Sequence, residues 1–102
     1  MRVEWSDPAR DDLNDLVDYI RRDSAFYATQ FGERVVLATR RLRDFPESGR
    51  RIPEADDPAL REVIVQGCRV MYRLETSRVL ILAVMDGRRD LANPDNQPWD
   101  TH

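Results

Sequence analysis

The chain contains no lysine: all sixteen basic residues are arginine, and the one histidine is His102, the last residue. A mechanism that needs a titrating lysine or an internal imidazole is therefore excluded, and arginine, which stays protonated, makes a poor general base. The single cysteine, Cys68, rules out an internal disulfide framework and a multi-cysteine zinc site. No metal and no cofactor is expected. Long apolar runs are missing too. A membrane helix needs roughly 20 such residues, and the longest run here, 79–85, has the length of a strand. Residues 1–5 lack the apolar region of a secretory signal. A reducing cytoplasm is the expected compartment, with no membrane partner. Basic excess is absent as well, since nineteen acidic residues leave a net charge of -3. Phosphate neutralisation supplies most of a nucleic-acid binder's affinity, so no sequence-specific nucleic-acid binding is expected.

What is present suits one small domain. A chain of 102 residues has room for a single core, and its 41% apolar content can fill it. Val3-Glu4-Trp5 alternates and reads as a short strand, stopped by Ser6-Asp7-Pro8. Ser6 or Asp7 suits a helix N-cap and Pro8 its first turn. Ala9, Leu13, Leu16, Val17 and Ile20 form one helical stripe. Ser24 is placed to cap a second helix, with the stripe Ala28, Phe31, Val35, Ala38, Leu42 and Phe45, ended by Pro46. The short link makes the pair an antiparallel hairpin. Residues 46–60 read as a loop. Strand-like runs follow at 61–65, 69–74 and 78–85, and their two tight connections predict an antiparallel meander. The last run is apolar almost throughout, as in a central strand covered on both faces. The order β-α-α-β-β-β predicts a two-layer α+β domain, an antiparallel sheet packed by the helical hairpin. The domain is expected over residues 1–91, with 92–102 as a flexible or surface-laid tail. Trp99 either anchors that tail or stands exposed for docking.

Four stretches carry a resemblance: Ser6-Asp7-Pro8-Ala9-Arg10-Asp11-Asp12-Leu13 with Tyr19-Ile20; Phe45-Pro46-Glu47-Ser48-Gly49-Arg50 with Ile52-Pro53-Glu54; Leu60-Arg61-Glu62-Val63 leading to Tyr72-Arg73-Leu74; and Ile81-Leu82-Ala83-Val84-Met85-Asp86-Gly87-Arg88-Arg89-Asp90-Leu91. In this order they resemble the ParE/RelE superfamily of bacterial type II toxins, and the Pro–Gly–Arg loop and Gly-Arg-Arg ending favour the ParE branch. The resemblance implies a RelE/ParE-like fold and a cognate antitoxin, ParD-like or of another family, in a hetero-oligomer. It also implies that the toxin poisons DNA gyrase rather than cutting RNA, as a plasmid-stabilization module would. Asp86 stands where the branch commonly has histidine, so a His-dependent role there is in doubt.

The alternative is a RelE-like ribosome-dependent mRNA endoribonuclease. Cleavage through the ribose 2′-OH needs a base, an acid and cations for the phosphate. Arg61, Arg69, Arg73 and Arg88 are the cations on offer, with Glu54, Glu62 and His102 as loose proton-transfer candidates. No catalytic set is assigned. A family member that binds its antitoxin without toxicity is a third reading.

For binding, Arg34, Arg40, Arg41, Arg43, Arg50 and Arg51 form either a solvated face or an electropositive patch for an acidic partner. Arg88 and Arg89, with Arg50 and Arg61, are the candidate target contacts, because arginine's planar fork pairs carboxylates in a bidentate way. Phe26, Val36 and Leu37 fall off the second helix's stripe. They either touch the first helix and the sheet or, with Arg40, await an antitoxin. Arg61 and Glu62 are read as an ion pair that pins strand register.

Overall fold

The computed structural model describes residues 1–100; His102 lies outside them. Strand β1 (Arg2–Trp5) leads into helix α1 (Asp7–Arg21) and helix α2 (Ala25–Arg40). A short strand β2 (Arg50–Arg51) and three longer ones follow: β3 (Leu60–Val65), β4 (Cys68–Leu74) and β5 (Arg78–Asp86). Both helix caps form as the sequence predicts. Ser6 Oγ accepts from the Ala9 N–H at 3.2 Å, and Ser24 Oγ from the Tyr27 N–H at 3.2 Å.

The sheet order is β1-β5-β4-β3-β2. β3, β4 and β5 form the expected antiparallel meander, but β1 pairs with β5 in parallel, so the sheet is mixed rather than wholly antiparallel. Two helices and the strands β2, β3 and β4 separate β1 from β5 in the chain, a connection long enough for the two to lie side by side in the same direction. β2 was hidden in the predicted loop, because two arginines carry no strand signal of their own; pairing with β3 creates it.

α2 ends five residues before Phe45. The chain tightens into a 3-10 turn (Arg41–Arg43), which keeps Leu42 buried. Phe45 is thereby rotated out to 59% exposure, contrary to its place in the predicted stripe.

Two apolar clusters flank the sheet. Ala9, Phe31, Val35 and Leu42 pack on Val70, Tyr72, Val79, Ile81 and Val84 of the helix-side face. On the opposite face, Ile52, Leu60, Met71, Ala83 and Met85 are covered by Leu91 and Trp99. Trp99 is therefore an anchor and not an exposed docking residue. The described part of the tail, with 3-10 turns at Pro94–Asn96 and Pro98–Asp100, lies over this second cluster.

Candidate functional site

The arginines offered for phosphate are mostly held by the protein itself. Glu62 projects from β3 on the face away from the helices, and its carboxylate is wholly buried. Arg69, in the neighbouring β4, donates Nε to Glu62 Oε1 at 2.6 Å and grips Glu54 with both terminal nitrogens at 2.9 and 2.8 Å. Arg50 of β2 reaches the other Glu62 oxygen at 2.7 Å. The hydrogen bonds from Arg69 hold the Glu54 carboxyl below its ordinary value, and the same bonds raise Arg69 above its own. Arg61 donates to the carbonyls of Glu47 and Gly49 at 3.3 and 2.9 Å, so the expected Arg61–Glu62 pair is replaced by Glu62 with Arg50 and Arg69. The reason is strand alternation: adjacent residues face opposite sides of the sheet. Arg73 ion-pairs with Asp57 at 3.5 Å.

Arg88 and Arg89 occupy the turn after β5. The Gly87 N–H donates to the Gly67 carbonyl at 2.9 Å, which fixes this turn against the β3–β4 turn. A Cβ at Gly87 would lie 2.7 Å from that oxygen, so the close approach requires glycine. The Arg88 side chain is 91% exposed and paired with Asp86, whose carboxyl is pulled down to about 2 by hydrogen bonds from Arg88. Arg89 lines a cavity of ≈ 440 Å³ with Asp12, Leu82, Met85 and Gln97. Asp12 accepts the Val84 N–H at 3.1 Å, and burial pushes its carboxyl up.

A second candidate surface runs along α2. Val36, Leu37 and Arg40 line a groove of ≈ 510 Å³ with Val17 of α1 and Ala28, Thr29, Gly32 and Glu33. Leu37 is 58% exposed and Phe26 69% exposed. The idea that the surplus apolar residues are absorbed by α1 and the sheet fails for these two. Phe26 is not among the groove's lining residues; it sits in the first turn of α2 and packs edge-on against Tyr27. The small residues Ala28, Thr29 and Gly32, which line the groove among larger neighbours, are the sequence signal for it.

The arginine-rich segment does not make one patch. Arg40 and Arg43 lie beside β1, whereas Arg50 and Arg51 form β2 at the opposite edge of the sheet. Among the described residues no group of His, Cys, Asp and Glu is arranged to hold a metal, and no helix is long and apolar enough to cross a membrane.

Comparison with known proteins adds two findings. Residues 3–91 match the family model described as the ParE toxin of the type II toxin–antitoxin system parDE. The fold is similar to a solved chain of the chromosomal ParDE toxin–antitoxin system from P. aeruginosa. The two share 19% identity at a TM-score of 0.70, over 84% of this chain and 95% of that one. No curated protein matches.

Proposed function

Because the chain belongs to the ParE toxin family of type II toxin–antitoxin systems, we propose that it inhibits DNA gyrase by occupying a surface of the enzyme, and that a cognate antitoxin neutralises it through the α2 groove. The observation that supports this most is how the arginines are used. Arg69 and Arg73 are bound to carboxylates of the fold and Arg61 donates one terminal nitrogen to backbone carbonyls, while Arg88, paired only with its neighbour Asp86 among the described residues, projects into solvent from a turn held by Gly87. A ribonuclease site needs the first three free to meet a phosphate. A docking surface needs only the last, with Arg89 beside it.

The antitoxin part of the reading rests on the groove, whose lining includes an exposed Leu37 and a half-buried Val36. Amphipathic helices are bound in grooves of this kind. The cytoplasm, where gyrase and a newly made antitoxin would both be met, belongs to the same proposal.

Purified protein assayed in parallel against gyrase supercoiling and ribosome-bound mRNA tests the proposal. Loss of supercoiling with intact transcripts is expected. Transcripts cut within codons, with supercoiling unaffected, would overturn it in favour of the ribonuclease reading.

A further inference from the structure

β1 leaves the sheet halfway along β5. It pairs with residues 78–81 only, because Ser6-Asp7-Pro8 turns the chain into α1 after Trp5. Among the described residues no strand takes its place beside residues 82–86. Side chains meet the backbone there instead. Ser6 Oγ donates to the Leu82 carbonyl at 3.3 Å, and Asp12 Oδ2 accepts the Val84 N–H. The space left over is the cavity of ≈ 440 Å³ beside Arg89, which Pro8, Leu82, Met85 and tail residues 95–98 help to line. Its size falls in the range of ligand pockets, about 300–1,000 Å³.

A β-bulge re-aims β5 at this point. Tyr72 pairs with Ile81 and Met71 with Ala83, so Leu82 is the extra residue. Ile81 packs on the helix side, whereas Leu82 joins Ala83 and Met85 on the opposite face and enters the cavity wall. Two charged groups in that wall have bonding capacity to spare. The Arg89 side chain makes no ion pair or hydrogen bond among the described residues. Asp12 spends one oxygen on Val84, and its other oxygen has no partner among them. Asp12 feels the charge of Arg89 without pairing with it.

We propose that this cavity receives one apolar side chain from an extended loop of the target, whose peptide unit bridges Asp12 and Arg89. The inference rests on the reading of the β5 turn as the target surface, and it names the chemistry that this surface selects. A peptide unit offers one N–H and one C=O and carries no charge, which matches one carboxylate and one guanidinium. Charged side chains are turned away, a basic one by Arg89 and an acidic one by Asp12 with Asp95. Pro8, Leu82 and Met85 supply apolar walls for the side chain that enters. Arg89 belongs to the turn and to the cavity, so the two form one continuous surface.

The full chain and purified gyrase test this. Leu82→Trp fills the cavity and leaves both arginines of the turn in place. With a thermal melt to establish that it folds, this variant is expected to need roughly tenfold more protein than the parent for half inhibition of supercoiling. Methyl NMR of the parent reads the contact without a substitution. Met85 lines the cavity, and Met71 belongs to the same apolar cluster without lining it. Gyrase is expected to shift the Met85 methyl signal and to leave that of Met71 in place. A Met85 signal that stays in place while the parent inhibits gyrase overturns the inference and leaves the surface reading standing, as does a folded Leu82→Trp protein of parental potency. If Leu82→Trp does not fold, the Met85 signal decides alone. If the parent does not inhibit gyrase, the target reading fails and the inference with it.

Discussion

Arg69 and Glu62 form a closed ion pair, Nε to Oε1 at 2.6 Å, with the arginine side chain 7% exposed and the glutamate side chain not exposed at all. A carboxylate removed from water in this way is tolerable only while its partners remain. Arg69→Ala leaves Glu62 with Arg50 alone and frees Glu54 from its clamp. A loss of about 3 kcal/mol is expected, at the low end for a broken buried pair because Arg50 still supplies charge. Arg69→Lys is expected to recover less than half of it, since one ammonium cannot reproduce a planar fork that spans two carboxylates. Urea denaturation of both variants measures the difference.

Two carboxyl groups predict opposite responses to acid. Arg69 holds the folded Glu54 carboxyl below its ordinary value of 4.5. Its stabilising contribution is fully present above that value and is lost as pH falls through the lower folded one. Glu54→Gln is therefore expected to flatten the fall in stability below pH 4.5. Asp12 is raised above 3.8 by burial. Its charge opposes folding once the group ionises, so the contribution is fully present below 3.8 and lost as pH rises through the folded value. Asp12→Asn, whose amide oxygen still accepts the Val84 N–H, is expected to stabilise the chain at pH 7 and to matter less at pH 3. Thermal melts from pH 3 to pH 7 check both signs.

Tyr72 ties the loop after α2 to the sheet. Its hydroxyl donates to the Pro46 carbonyl at 2.7 Å and accepts the buried Gly49 N–H at 3.0 Å. Tyr72→Phe strands that N–H, at an expected cost of about 1–3 kcal/mol. Gly49→Ala is expected to be at least as damaging, because its Cβ would lie 2.6 Å from the hydroxyl and 2.7 Å from the Glu62 carbonyl. A Tyr72→Phe protein as stable as the parent would refute this account of the loop.

The helices and the meander were legible because their signals are local: Ser6 and Ser24 at the caps, a three-and-four spacing from Ala28 to Leu42, and alternation through Val70, Tyr72 and Leu74. The parallel pairing of β1, the two-residue β2 and the anchoring of Trp99 were not. Each depends on a partner distant in sequence, and nothing in Arg50-Arg51 or the tail encodes that partner's position. The same limit blurred the candidate site. The sequence picked out Arg61, Arg69 and Arg73 as cations but could not disclose that Glu54, Glu62 and Asp57 already claim two of them. It did single out Leu37 and Val36, which line the α2 groove, because an apolar residue off the main stripe is itself a local observation.

Arg88 and Arg89 allow toxicity to be separated from folding. Among the described residues the Arg88 side chain hydrogen-bonds Asp86 alone, it is 91% exposed, and solvent screens an exposed pair of this kind so that it adds little to stability. The turn itself is fixed by the Gly87 N–H to the Gly67 carbonyl, a bond that neither arginine side chain makes. Arg88→Ala with Arg89→Ala is therefore expected to leave the urea unfolding midpoint close to the parent's. Growth arrest and gyrase inhibition should both fall sharply, because a docking surface loses two planar charged donors. Val35→Asp supplies the contrasting control. Val35 is fully buried between α2 and the sheet, so an unpaired carboxylate there is expected to abolish toxicity by unfolding the chain. If the doubly substituted protein stays folded and fully toxic, the β5 turn is not the surface that meets the target.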